Sequence, residues 1–226
     1  MSFNTILSGK SFLPHENPRK LIFMLHGYGD SAENFINIVS PLDDLDFKAN
    51  YFAFNAPTII PHSNLGRQWF NLYPNGIYIA DAGTAEIKII KSEILIANQM
   101  LENAINEAIH KYKLTHKDCF LLGFSQGGMM TFEFGNYCLN SFGGLAILSG
   151  RIMREDIIQN QSLLKTPIFI SHGDQDDVLP IKFYKQACIF LKKNKILHEK
   201  HELEGDTHTI SPKAINLLQK FIKKNL

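Results

Sequence analysis

Continuous apolar runs alternate with stretches whose apolar positions recur every three or four residues. Lys20–Leu25 carries five consecutive apolar side chains after its lysine. A strand reads this way when both of its faces are covered. The runs at 51–57, Cys119–Phe124, 144–149 and 167–171 have the same character, and Pro57 ends the first of them. The segment 196–203 alternates more and predicts a strand nearer a sheet edge. Between these runs the period lengthens. In Thr84–Tyr112, Ile87, Ile90, Ile94, Ala97, Leu101, Ile105 and Ile109 fall at helical spacing. Shorter helices are predicted at 127–139, 181–192 and Pro212–Lys224. Ser211 before Pro212 reads as an N-cap with proline in the first helical position.

Strand–helix alternation of this kind predicts a mostly parallel central sheet with helices on both faces. The site of such a sheet lies beyond the carboxyl ends of its strands. No internal repeat, low-complexity tract or linker composition interrupts the chain, so one α/β domain over 1–226 is expected. The segment 58–83 resists the scheme. It combines Pro61, Gly66, Pro74, Gly76 and Gly83 with Trp69, Phe70, Leu72, Tyr73 and Tyr78. Long loops of this kind serve as lids or binding surfaces. The competing reading is a loop that packs its aromatics on the core.

Composition narrows the classes. The 226 residues are 45% hydrophobic and 20% charged, with net charge +1. That is ordinary for a globular chain, and it gives no argument for nucleic acid or an anionic surface. Cys119, Cys138 and Cys188 are too few and too scattered for a disulfide framework or a zinc site. Buried free thiols in a reducing compartment are expected instead. The start, Met1-Ser2-Phe3-Asn4-Thr5-Ile6-Leu7, shows no basic segment followed by an apolar core. No apolar run approaches the roughly 20 residues of a membrane span. A cytoplasmic protein without a transmembrane segment is the expectation. Oligomeric state is not legible.

The chemistry enters at Gly123-Phe124-Ser125-Gln126-Gly127. A Gly-x-Ser-x-Gly pattern arises by chance in about one chain in twelve of this length, so its context carries the argument. A predicted strand precedes it and a predicted helix follows it, the setting of a nucleophile elbow. Small residues are needed at Gly123 and Gly127, where strand and helix meet tightly. A serine hydroxyl needs a base to take its proton, and histidine suits the task. A carboxylate must orient that imidazole. In this fold class the order along the chain is serine, acid, histidine.

After the run at 167–171 comes His172-Gly173-Asp174-Gln175-Asp176-Asp177. Its three aspartates all lie at the expected end of the sheet, and spacing does not choose among them. After 196–203 comes Gly205-Asp206-Thr207-His208, and His208 stands where the base belongs. His26 precedes the serine and is expected to be structural. His172 is expected to shape its loop. His198 and His201 fall on opposite faces of the edge strand. His15, His62, His110 and His116 read as surface residues. A developing oxyanion needs two prepositioned N–H donors. One is expected from Gln126, after the nucleophile and at a helix N-terminus. The other is assigned to Tyr28 in the glycine-containing loop His26-Gly27-Tyr28-Gly29-Asp30.

Together these residues resemble the acyl-protein thioesterase/carboxylesterase family of α/β-hydrolases, also called the phospholipase/carboxylesterase family. His26-Gly27-Tyr28-Gly29-Asp30 is similar to its His-Gly-x-Gly-Asp, and Gly123-Phe124-Ser125-Gln126-Gly127-Gly128 to its Gly-Phe-Ser-Gln-Gly-Gly. The acid loop resembles His-Gly-x-x-Asp, Gly205 to His208 resembles Gly-x-x-His, and Arg67-Gln68-Trp69-Phe70 resembles the Trp-Phe element. The resemblance implies an α/β-hydrolase fold, with Asp176 as the acid. It implies an acyl groove formed with the Trp-Phe loop, which makes Trp69 and Leu72 candidates for substrate contact. Two departures stand out. Asn71 replaces the family's usual Asp after Trp-Phe, and Asp206-Thr207 is more polar than usual. If Asp206 approached His208 it would raise the pKa of that imidazole.

The expected function is cleavage of carboxylic esters or thioesters of acyl chains through an acyl-enzyme, by Ser125, Asp176 and His208, without metal or cofactor. The substrate is an acyl ester of a small molecule or lipid, or an acylated protein. A lysophospholipase is the alternative, and a non-catalytic binding protein with the same fold the more distant one. The lysines around Ile215, Leu218 and Ile222 near the C-terminus read as the solvated face of a packed amphipathic helix rather than a membrane contact.

Overall fold

The computed structural model describes residues 7–61, 63, 66–153 and 160–226. His62, read above as a surface residue, and the first six residues lie outside the described residues. Seven strands form the main sheet: β1 (Gly9–Phe12), β2 (Lys20–Leu25), β3 (Ala49–Phe54), β4 (Cys119–Phe124), β5 (Gly144–Leu148), β6 (Ile168–Gly173) and β7 (His198–Leu203). Their order is β1-β3-β2-β4-β5-β6-β7. All pairs are parallel except β1 with β3. Four long helices complete the frame: α1 (Thr84–Tyr112), α2 (Gln126–Tyr137), α3 (Lys182–Lys193) and α4 (Pro212–Lys224).

The continuous apolar runs are explained by two cores. On one face, Leu21, Phe23, Leu25, Leu121, Ile147 and Ile170 pack with Ile94 and Leu101 of α1, Phe132 of α2 and Leu191 of α3. On the other face, Ile22, Met24, Leu122, Leu148 and Phe169 pack with Phe35, Val39 and Leu42 and with Leu218, Phe221 and Ile222 of α4. Adjacent residues of one strand thus enter opposite cores, which is why no alternation shows. Helix α4 fits the sequence reading closely. Ser211 Oγ accepts from the Ala214 N–H at 3.2 Å, with Pro212 in the first turn. Lys223 pairs with Asp44 and Asp46, and Lys224 with Glu199.

Some expectations shift. Strand β1 gives no periodic signal because all four of its residues are exposed at the sheet edge. Ile87 is 42% exposed rather than a core position of α1. Cys119 and Cys138 are buried free thiols, and burial raises the pKa of both, but Cys188 is only half-buried. His116 is half-buried with its ring edge-on to Phe142, and burial lowers its pKa. No helix among the described residues is long and apolar enough to cross a membrane.

The segment 58–83 contains a two-stranded ribbon, Thr58–Ile59 with Arg67–Gln68, followed by two short 3-10 turns. Its aromatics divide. Trp69 and Phe70 are buried in the core beside α1, while Tyr73 and Tyr78 are exposed and pack on each other at 5.3 Å.

Candidate active site

The elbow sits between β4 and α2. Ser125 takes φ 54° and ψ −116°, a sparsely populated conformation held by the structure around it. The flanking glycines are required by contact. A Cβ on Gly123 would lie 2.1 Å from Gly127 O, and one on Gly127 would lie 2.0 Å from Leu25 O. The turn is fastened to the neighbouring strand by Ser125 N–H donating to Leu148 O at 2.9 Å.

Gln126 opens α2, so its N–H has no acceptor within the helix and lies at the positive end of the helix dipole. The loop 27–30 lies beside it. Gly29 N–H donates to Arg67 O (2.9 Å), and Arg67 N–H donates to Asp30 O (3.1 Å). Asp30 N–H turns back to Gly27 O. These bonds fix the loop with the amides of Gly29 and Asp30 and do not use that of Tyr28.

His26 is fully buried and has both ring nitrogens committed. Nε2 accepts from Ala56 N–H at 3.0 Å, so Nδ1 carries the proton and donates to Gly27 O at 2.7 Å. Burial lowers its pKa and keeps it neutral. Its role is structural, as the chain order suggested. Trp69 joins the same frame. Its indole N–H donates to His26 O at 2.9 Å. The Gln126 side chain accepts from Trp69 N–H (2.9 Å) and donates to Phe70 O (2.7 Å). One buried amide therefore staples the Trp-Phe segment to the elbow. Asn71 keeps the acceptor function of an aspartate, because its Oδ1 takes the Tyr73 N–H at 2.8 Å.

Tertiary contacts separate the three aspartates. Asp174 Oδ1 accepts from Gly205 N–H at 2.8 Å and ties the two loops together. Asp177 is exposed. Asp176 is buried, with Oδ1 accepting from the N–H groups of Val178 (3.0 Å) and Leu179 (2.7 Å). Its Oδ2 lies 2.7 Å from His208 Nδ1. That bond places the proton on Nδ1 and leaves Nε2 as a free base. Asp206 accepts instead from the Ser211 hydroxyl. Phe124 packs its ring on His208 at 4.8 Å. The two loops meet closely at Gly173, where a Cβ would lie 2.2 Å from Asp206 O.

Ser125, His208, Tyr28 and Gln126 line one cavity of about 340 Å³ at the carboxyl ends of the strands. Its walls are mostly apolar: Leu72, Tyr73, Ile79, Met129, Val178 and Leu179, with Tyr78, Phe124 and the polar Asp30 and Arg151. Leu72 is in the wall. Trp69 is not, since its ring is 1% exposed and stands behind the cleft. The sequence reading missed Met129, Ile79, Val178 and Leu179. The last two lie two and three positions after Asp176, which is their signal. Arg151 gave none; it follows β5 and stacks over Phe183 at 4.8 Å. Ile79 and Arg151 also border a second cavity of about 260 Å³, walled by Ile87, Ile90, Ile94 and Met153, with Lys91 at its side.

The chain is similar in sequence and fold to known proteins. Acyl-protein thioesterase 1 of Kluyveromyces lactis is 28% identical over 237 residues, covering 100% of this chain and 99% of that protein. Its Saccharomyces cerevisiae counterpart is 28% identical over 222 residues, covering 92% of this chain and 93% of that one. Among solved structures, Arabidopsis thaliana SOBER1 is 25% identical with a TM-score of 0.78, covering 91% of this chain and 98% of that one. Esterase PE8 shares the fold with a TM-score of 0.83 at 24% identity, covering 98% of this chain and all of that one. The phospholipase/carboxylesterase family model matches residues 12–226. With an elbow serine and a histidine–aspartate pair on one cleft of an α/β-hydrolase sheet, the chain belongs to the phospholipase/carboxylesterase family.

Proposed function

We infer that this chain is a serine hydrolase that cleaves carboxylic esters or thioesters of acyl chains. The observation that carries the reading is the convergence of Ser125, His208 and Asp176. The strained serine and the imidazole line one cavity, and the buried carboxylate bonds the far nitrogen of that imidazole at 2.7 Å. Ser125 Oγ attacks the acyl carbonyl carbon as His208 Nε2 takes its proton. The carbonyl oxygen becomes an oxyanion held by the N–H groups of Tyr28 and Gln126. The tetrahedral adduct collapses, the bond to the alcohol or thiol breaks, and His208 returns the proton to that leaving group. A water then gives a proton to His208, attacks the acyl-enzyme and releases the carboxylic acid and free Ser125. Asp176 keeps the imidazole in the right tautomer and stabilises its cation.

An acyl chain fits the apolar walls better than a strongly polar group does. The two cavities share Ile79 and Arg151 in their walls, and the second presents Ile87, Ile90 and Ile94 of the start of α1, so an acyl chain could take a route from the first toward the second. The segment 58–83 supplies Leu72, Tyr73, Tyr78 and Ile79 to this route, so it acts as the acyl-groove loop. The test is labelling with a fluorophosphonate and a rate series on p-nitrophenyl esters from acetate to palmitate. Covalent label at Ser125 and a kcat/KM that rises beyond acetate are expected. A folded protein whose Ser125 takes no label overturns the hydrolase reading. A preference for acetate overturns the acyl groove alone.

A further inference from the structure

The catalytic carboxylate is approached by two imidazoles, and the proposed reaction uses only one. His172, at the end of β6, is completely buried. Its Nε2 lies 2.6 Å from Leu179 O and 3.2 Å from Asp176 Oδ2, the same oxygen that bonds His208. Two oxygens can both face Nε2 only if that nitrogen carries the hydrogen. His172 is therefore the Nε2–H tautomer when neutral, and its buried Nδ1 has no hydrogen-bond partner among the described residues. The groups around it favour the neutral form. Its ring lies against Tyr184 of α3, and His208 bonds the same Asp176 oxygen. Burial, the largest influence, lowers its pKa, and nearby His208 acts in the same direction. Leu179 O and Asp176 act against them without reversing the direction.

We propose that His172 is a positioning residue for the reaction, a neutral donor that locks the 176–179 turn and aims Asp176 Oδ2 at His208. The turn closes on itself from both ends. Leu179 N–H holds Asp176 Oδ1, and Leu179 O is held by His172. The carboxylate rotation that sets the His208 bond is thereby fixed from the loop through Oδ1 and, through Oδ2, by a side chain anchored in the sheet. A neutral donor suits this place. A second cation at Oδ2 would compete for the charge that Asp176 must offer to the His208 imidazolium.

This rests on the triad proposed above, and the experiment separates the two. Three substitutions are compared with Asp176→Asn by steady-state kinetics on a p-nitrophenyl ester across pH, with thermal unfolding followed in parallel. His172→Phe keeps ring bulk without the donor. His172→Asn carries an amide that overlays Nδ1 and does not reach Leu179 O. His172→Gln carries an amide that overlays Nε2 and does. His172→Phe and His172→Asn are expected to lower kcat at least tenfold with KM within about twofold. The acid limb of kcat/KM is expected to move to lower pH, because a loosely held carboxylate stabilises the His208 imidazolium less. His172→Gln is expected to restore both kcat and the limb. If the Phe variant does not fold, the contrast between Asn and Gln decides. Equal impairment of folded Asn and Gln variants overturns the proposal, as does a loss carried by KM or an unmoved acid limb. An active Asp176→Asn overturns the triad and this inference with it. An inactive Asp176→Asn beside fully active His172 variants overturns this inference alone.

Discussion

Replacing Gly173 by alanine tests whether the acid and base loops must touch. Gly173 ends β6, and its α-carbon faces the backbone that leads into His208. The added Cβ meets Asp206 O at 2.2 Å, then Asp206 C and Thr207 O at 2.6 Å. All three atoms are backbone, so no side chain can swing aside. Real Cβ atoms do not approach closer than 3.0 Å, so the two loops must part by about 0.8 Å. The 2.7 Å bond between Asp176 and His208 spans that junction. A misplacement of about 1 Å in a catalytic group costs on the order of 10²-fold in rate. Overpacking at a tight contact costs about 1–3 kcal/mol of stability, or roughly 2–12 °C in Tm at this size. Gly173→Ala should therefore stay folded at 25 °C with kcat down ~10²-fold. The assay is ester hydrolysis together with the rate of fluorophosphonate labelling at Ser125, which falls in parallel because the base is displaced. A variant with kcat within threefold of the parent and unchanged labelling refutes the argument that this contact sets the geometry.

Ser125→Ala should reduce turnover by ~10⁴-fold or more. Ser125→Gly should be equally inactive yet about 1 kcal/mol more stable in urea unfolding, because the conformation at φ 54° and ψ −116° costs alanine but not glycine. Equal midpoints for the two variants count against strain at the elbow. Leu72→Ala should weaken kcat/KM for medium-chain esters about tenfold, a loss of contact worth about two CH2 groups at ~0.8 kcal/mol each, and leave acetate unchanged. Trp69→Phe removes the bond to His26 O, costs about 1 kcal/mol of stability, and should alter all chain lengths alike; a chain-length shift would put Trp69 back in the groove. Stability should fall on acidification below about pH 6.5. His26 and His172 ordinarily titrate at 6.5, and burial lowers both when folded. Below that pH the unfolded chain binds more protons than the native one, so acid favours unfolding, whereas above about pH 7 the pair contributes no slope. Urea midpoints at pH 7.5 and 5.5 measure this, and a higher midpoint at pH 5.5 contradicts it.

Some of this protein was legible as sequence because the relevant physics is local. Five of the six predicted strands announced themselves as apolar runs, because both faces of a central strand are covered. Helix α4 was bounded by Ser211 and Pro212 because capping is a matter of adjacent residues. Gly123 and Gly127 signalled the elbow because no side chain fits where β4 turns into α2. The serine, the candidate base and the set of candidate acids followed from their order along the chain.

What only the tertiary structure decided depends on which distant groups meet. Spacing gave Asp174, Asp176 and Asp177 equal standing and only the resemblance favoured Asp176; in the fold Asp176 is buried and bonds His208, while Asp174 ties the loops together. Trp69 and Leu72 are three positions apart on one loop. The first turns its indole into the frame beneath His26, and the second faces the cleft. Strand β1 has no buried face and so left no pattern. His172 was read from the sequence as a residue that shapes its loop, but its approach to Asp176 was not legible there. Its meaning lies in a 2.6 Å contact across a folded turn, and a sequence encodes which groups are present but not which two will share one oxygen.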